Sequence, residues 1–365
     1  MLLNNFYFRL RPLIPRSVRL AIRRPLALRM LERVRDTWPI LPGSEQPPVG
    51  WPGWPERKQF AFVLTHDVES AAGLARVQQL AELEMKLGFR SCFYFIPEGP
   101  YSVPPALLSW LADHGFEVGV HDLHHDGKLY SNKKSFSAKA RRINHYLNEW
   151  GAVGFRSAFM LHNYEWLHSL NILYDASSFD TDPFEPQPEG VNTIFPFWVP
   201  SPKAPEGITE QGARRSAAPL PTPDSSSVFQ NSSVSAFGSR SGYLELPYTL
   251  VQDSTLFLTL REKTTTTWKR KLDWIAAHGG MALVNVHPDY LELEASKSNA
   301  HTYPVQRLID LLSHVRHLYH DCVWHALPRE VAFFVRPRRL ARTSRFQNRC
   351  SMTSHSRLNE PGPHP

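Results

Sequence analysis

Two short segments carry side chains with more chemistry than a scaffold needs: Thr65-His66-Asp67-Val68-Glu69 and His121-Asp122-Leu123-His124-His125. Carboxylates and imidazoles of this kind are the donors of a divalent-cation site that keeps one position open for water. Asp67 and Glu69 are two positions apart, so in extended backbone their side chains share a face. His121 and His125 are four apart, and one helical turn would set both on the same side. Glu69, His121 and His125 then form the metal-ligating set, which suits Zn²⁺ first, with Co²⁺, Ni²⁺ or Fe²⁺ as alternatives. Asp67 is left uncoordinated or shared, near enough to take a proton from a water at that site. His124 falls on another face and is expected to be a bystander.

Two carboxylates so close need a cation to keep both ionised at neutral pH. Arg156, in Gly154-Phe155-Arg156-Ser157-Ala158-Phe159, follows an apolar run and is the candidate beside the metal. His287 ends the most apolar run of the chain, Met281–Val286, and an imidazole facing a base suits proton donation to a leaving group. The carboxylate that orients it is expected to be Asp175, with Asp180, Asp182 and Asp289 as competitors. Each residue alone has a plainer reading, as a capping carboxylate, a core histidine or a surface ion pair. Their common position, at the ends of apolar runs, is what joins them.

The elements that would hold these residues alternate. Apolar runs at 60–64, 91–96, 116–120, 152–155 and 281–286 read as buried strands. Helical spacing runs between them: Leu74 to Leu87 with Gly88 as stop, Pro104-Pro105 to Gly115, Ser137 to Trp150, Thr265 to Ala277, and Val305 to Val315. Asn171–Asp175 and Thr193–Val199 look extended. Alternation of this sort specifies a parallel sheet, whose strand C-termini gather on one rim, where such folds place their chemistry. A barrel is favoured over an open sheet, because reactive residues recur at so many separate strand ends.

The bulk numbers exclude some classes. Apolar and charged fractions of 42% and 21% are those of an ordinary globular protein. Net charge is +7, but residues 1–36 carry nine arginines against Glu32 and Asp36, and residues 336–365 carry seven against Glu360. The body between them is therefore mildly acidic, which argues against a nucleic-acid substrate. The first segment (1–55) has no uninterrupted apolar core, so neither a secretory signal nor a membrane span is expected. It reads as a basic amphipathic helix packed on the domain or solvated, with peripheral contact to anionic membrane as the sharper alternative. Residues 201–241 are dominated by Ser, Pro, Ala and Gly and are expected to be a disordered insertion, and 336–365 a basic disordered tail. Three cysteines at unrelated spacings make no disulfide framework, and the expected location is cytoplasmic.

Taken in order, Thr65-His66-Asp67-Val68-Glu69, His121-x-x-x-His125, Gly154-Phe155-Arg156-Ser157-Ala158-Phe159, Tyr174-Asp175-Ala176-Ser177-Ser178 and Val284-Asn285-Val286-His287-Pro288 resemble the motif series of the polysaccharide deacetylases, the NodB-homology or carbohydrate esterase 4 family. The resemblance covers residues 56–335 and implies an α/β fold, a distorted (β/α)7 barrel. It implies removal of N- or O-acetyl groups from a bacterial surface polysaccharide or its precursor. A metal on one carboxylate and two His, an aspartate base and a histidine acid would be the means. By that correspondence Glu69, His121 and His125 hold the metal, while Asp67, Arg156, His287 and Asp175 are catalytic. Two departures stand out. The second carboxylate of the first motif is Glu69, one residue later and one methylene longer than a common adjacent Asp, so Asp67 remains an alternative ligand. Ala158 stands where Pro is common. Phe159, Trp198 and Tyr290 are candidates to stack on sugar faces. Hydrolysis of small non-peptide amides, or a silent glycan-binding scaffold, are the competing functions.

Overall fold

The computed structural model describes residues 16–202, 242–293 and 301–335. The expected insertion, apart from Ser201 and Pro202, and the expected basic tail lie outside these residues, as does the start of the N-terminal segment. The chain enters through α1 (Arg16–Val34), whose Ala27 is buried and whose Leu31 and Val34 pack on the main core. No described helix is long and apolar enough to cross a membrane.

Strand–helix alternation then proceeds through β1 (Phe60–Val68), α2 (Val77–Leu87), β2 (Cys92–Phe95), α3 (Pro105–Asp113), β3 (Glu117–His121), α4 (Lys133–Glu149), β4 (Gly154–Arg156), β5 (Tyr174–Asp175), β6 (Phe197–Pro200), β7 (Gly242–Glu245), α5 (Thr266–His278), β8 (Met281–Val286), α6 (Gln306–Tyr319), β9 (Val323–His325) and α7 (Pro328–Val335). Local chemistry sets the helix limits. Asn132 caps α4, its side chain accepting from Ser135 N–H, and Phe136, Ala140, Ile143 and Leu147 bury one stripe of the same helix. Gly88 and Gly279 end α2 and α5 with left-handed φ of 82° and 74°. The helix expected from Leu74 is split. Ser70 caps a single turn, Ala71–Leu74, and α2 begins afresh at Val77.

Parallel pairing runs β1–β2–β3–β4–β5–β7, and β8 lies on the other side of β1. The two ends meet where Thr249 and Leu250 N–H groups both donate to Leu283 C=O at 3.0 Å, so the sheet curls into a distorted barrel. Strand β6 is antiparallel to β7, and β9 pairs with the first residues of β1.

Pleating sorts the side chains. Phe60, Phe62 and Leu64 face the helices together with Ala282, Val284 and Val286, each large side chain contributing about 1.5–3 kcal/mol by burial. Ala61, Val63, Met281 and Leu283 belong to a second core with Tyr94, Tyr174 and Leu244, which fills the barrel interior. By the two-residue period, Thr65 and Asp67 continue the inward row of β1, and Asn285 and His287 that of β8. His66, of the opposite parity, turns outward to Glu84 Oε1 on α2 at 2.6 Å.

The interior row is tightly filled. A Cβ on Gly154 would lie 2.0 Å from the Tyr174 hydroxyl oxygen. Gly154→Ala is therefore expected to destabilise the chain by about 1–3 kcal/mol through overpacking. A chemical-denaturation midpoint equal to that of the parent would show that Tyr174 can yield.

Candidate active site

Four strand ends, those of β1, β3, β4 and β8, build the site. Asp67 lies near the end of β1, fully buried. Its Oδ1 accepts from Arg156 Nη1 at 3.0 Å and its Oδ2 from Asn285 Nδ2 at 2.8 Å. The same Arg156 nitrogen donates to Asn285 Oδ1 at 2.7 Å and Thr65 Oγ1 at 3.0 Å, and its guanidinium lies over the Tyr94 ring at 4.5 Å. Burial alone would raise the Asp67 carboxyl pKa, but the facing cations, Arg156 above all, and the Asn285 hydrogen bond outweigh it and lower it to about 2. Asp67 is thus an anion held in place, with lone pairs left for a further donor.

Glu69 Oε1 lies 3.1 Å from His125 Nε2, and the ligand atoms of Glu69, His121 and His125 all fall within 4.8 Å of one another. His121 Nδ1 sits 3.0 Å from Arg156 C=O, an arrangement that makes Nδ1 the protonated nitrogen and leaves Nε2 a lone pair. That Nε2 is buried without a hydrogen-bond partner. Burial, with His125 nearby, lowers the His121 pKa despite the opposing pull of Asp67, which favours the neutral, ligating form. The His121 and His125 imidazoles, the Glu69 carboxylate and the orphaned buried Nε2 of His121 fit a divalent cation of the zinc type. The side chains of Glu69 and His125 are 22% and 10% exposed, so solvent reaches the group past them.

His287 closes the opposite side. Its Nε2 lies 4.0 Å from Asp67 Oδ2 and 3.9 Å from Glu69 Oε1. Its Nδ1 meets Asp253 Oδ1 at 2.7 Å, while the His287 backbone N–H donates to Asp253 Oδ2 at 2.9 Å. Burial opposes the charged imidazole, yet Asp253, with Glu69 and Asp67, raises its pKa to about 10. At neutral pH an anion and a cation therefore face one another across the group: an acceptor of protons and a donor of them.

No family model and no curated protein matches this sequence. Solved structures do. A protein of Mycobacterium smegmatis assigned as a polysaccharide deacetylase superposes over 78% of this chain and 92% of its own, with TM-score 0.51 and 16% identity. The fold is that of the polysaccharide deacetylases. Looser likenesses are to a peptidoglycan deacetylase of Bacillus subtilis (TM-score 0.40, 11% identity, 76% and 91% covered) and a family 4 carbohydrate esterase of Streptomyces lividans (TM-score 0.37, 12% identity, 74% and 93% covered).

Within this deacetylase-type barrel, Asp67, Glu69, His121, His125, Arg156 and His287 come together. Asp175 does not join them. Tyr174 occupies the barrel interior, so the next residue points to the other face. There Asp175 accepts from Ser177 Oγ at 2.8 Å and stands opposite Glu245 in the β5–β7 register. Asp180 pairs with Lys271, and Asp182 accepts from Tyr248 Oη at 2.8 Å. Asp289 turns toward the Glu69 loop.

The carboxylate on His287 is Asp253, which sequence reasoning missed. The available signal was an acidic residue closing an apolar stretch after β7. The two histidines also converge differently from expectation. Residues 122–127 form no helix; instead Asp122 and His125 adopt left-handed φ of 55° and 54° and fold the loop back. Asp122 stabilises that turn by accepting from Leu123 N–H at 2.6 Å. His124 turns away, its Nδ1 3.1 Å from Glu98 C=O. Of the aromatics, Phe159 packs on His125 with centroids 4.6 Å apart, Trp198 joins the interior core, and Tyr290 bonds Glu69.

Proposed function

We propose that this chain is a metal-dependent hydrolase that removes N- or O-acetyl groups from a polysaccharide, in the finer reading a bacterial surface glycan or its precursor. What carries the reading is the convergence of Glu69, His121 and His125, with the buried, unpartnered His121 Nε2 aimed into it, between an ionised Asp67 and a protonated His287. Glu69, His121 and His125 would hold the ion, which would supply polarisation of the acetyl carbonyl and of a water.

The chain's own residues do the rest. Arg156 and Asn285 fix the Asp67 carboxylate, and Asp67 takes the proton of the attacking water. His287, held by Asp253, donates its Nε2 proton to the departing sugar nitrogen or oxygen. Acetate and the free amine or hydroxyl are the products. The basic α1, with exposed Ile22 and Leu26 beside Arg23 and Arg29, supports peripheral contact with an anionic membrane surface, and free Cys92 and Cys322 accord with a reducing, cytoplasmic setting.

Elemental analysis of the purified chain, joined to an acetate-release screen over acetylated glycans, tests the reading. One divalent ion per chain is expected. His121→Ala should lose both the ion and acetate release while keeping its circular dichroism. Release only from small free amides would move the substrate class. A chain that takes up no metal would end the hydrolase reading.

A further inference from the structure

The segment after the acid, Pro288-Asp289-Tyr290, folds back onto the loop that bears Glu69. Asp289 Oδ2 accepts the Glu69 backbone N–H at 2.9 Å, and its Oδ1 accepts from the Ser70 hydroxyl. Tyr290 Oη donates to Glu69 Oε2 at 2.6 Å, while the Tyr290 ring stacks on His287 with centroids 4.9 Å apart. The remaining carboxylate oxygen, Oε1, is the one beside His125. On the other flank, Tyr101 Oη donates to Val68 C=O at 2.5 Å. The mooring is also closed sterically. Gly73 abuts Asp289 so closely that a Cβ there would lie 2.2 Å from Oδ2, and Arg76 Nη1 donates to the Pro288 and Asp289 carbonyls, each at 3.2 Å.

We infer that Asp289 and Tyr290 are positioning residues for the metal ligand Glu69: Asp289 fixes its backbone, and Tyr290 occupies its outer oxygen so that Oε1 alone faces the two histidines. The inference rests on the metal-site reading above and deepens it. A glutamate arm has one more rotatable bond than aspartate, and that freedom weakens a ligand unless something removes it. Tyr290 removes it at the carboxylate and Asp289 at the main chain. One short segment thereby ties the position of the acid His287 to that of the ligand Glu69.

The test is Zn²⁺ affinity of the metal-stripped full-length chain, measured by competition with a chromophoric chelator. Tyr290→Phe keeps the ring on His287 and removes only the hydroxyl; affinity is expected to fall about tenfold or more. Asp289→Asn should weaken binding over a similar range, and Gly73→Ala should do so without removing any polar group, by displacing the Asp289 carboxylate. In a Glu69→Asp background the shorter arm no longer reaches Tyr290, so adding Tyr290→Phe should change affinity by less than about twofold, a non-additive pair. Circular dichroism and thermal melting of each variant separate a lost mooring from a lost fold. If the parent binds one Zn²⁺ and Tyr290→Phe and Asp289→Asn bind it equally well, the positioning role is overturned while the metal site stands. If Tyr290→Phe costs the same in both backgrounds, Tyr290 does not act through the length of Glu69. If the parent binds no Zn²⁺, the underlying reading fails and this one with it.

Discussion

Asp67→Asn is expected to reduce acetate release by about a hundred- to ten-thousandfold, the usual worth of a positioned general base, while the chain retains its metal. The substitution is nearly isosteric, so the loop that carries Glu69 keeps its place. What changes is charge and donor pattern. Asp67 now accepts from Arg156 on one oxygen and from Asn285 on the other. An amide can accept on one side only, and its NH₂ would face the Asn285 NH₂ or the Arg156 fork. Arg156, fully buried, also loses its charged partner. Removing one member of a buried pair costs about 3–5 kcal/mol, so a lower melting temperature should accompany the lost turnover. The two readouts are separable: stability measures the ion pair, and metal content measures ligation. Loss of the ion from a folded Asp67→Asn chain would make Asp67 a ligand, the alternative left open by the Glu69 position. Undiminished turnover would remove Asp67 as base.

Much of this site is legible in the sequence because strand periodicity is. A run such as Phe60–Leu64 announces a buried strand, and the two-residue period then commits Asp67 to the same face as Ala61, Val63 and Thr65. The same rule carries Asn285 and His287 to the interior from Met281 and Leu283. It fails for Asp175 for an instructive reason. β5 is only two residues long, Tyr174 and Asp175, too short for a pattern to declare which residue faces in. The phase is fixed by packing, since the Tyr174 hydroxyl donates to Glu117 Oε1 at 2.8 Å inside the barrel. Glu117 belongs to β3, far away in sequence. The route by which His121 and His125 converge was equally hidden. Four-residue spacing suggests a helical turn, whereas the loop achieves it through left-handed backbone at non-glycine residues, which sequence spacing does not encode. The candidate ligand set was therefore readable, and the path of the backbone between its members was not.

Asp253→Asn is the second change of large expected effect, and its signature lies in the pH profile. In the parent, Asp253 makes contact with His287 twice, through Nδ1 at 2.7 Å and the backbone N–H at 2.9 Å, and also accepts from Tyr303 Oη at 2.8 Å. Burial pushes the imidazole toward its neutral form; the Asp253 charge is the largest influence raising its pKa, which reaches about 10. An asparagine still accepts from Nδ1–H but removes that charge, leaving burial less opposed. The imidazole is then expected to titrate well below 10, and at neutral pH a smaller fraction carries the proton that the leaving group needs. Turnover at neutral pH should fall by about a hundred- to ten-thousandfold, as when a carboxylate behind a catalytic imidazole is neutralised. The alkaline limb of kcat/KM, expected near pH 10 in the parent, should move toward lower pH, and activity should partly recover on mild acidification. Stability follows the same sign. A folded-state pKa of about 10 against an ordinary His value near 6.5 gives stabilisation that is fully present below about pH 6.5 and fades as pH rises through 10. Asp253→Asn should remove most of that slope from melting temperatures measured between these limits. A variant that keeps the parent's alkaline limb would show that His287 holds its proton without Asp253, and the assignment of the acid's partner would have to be abandoned.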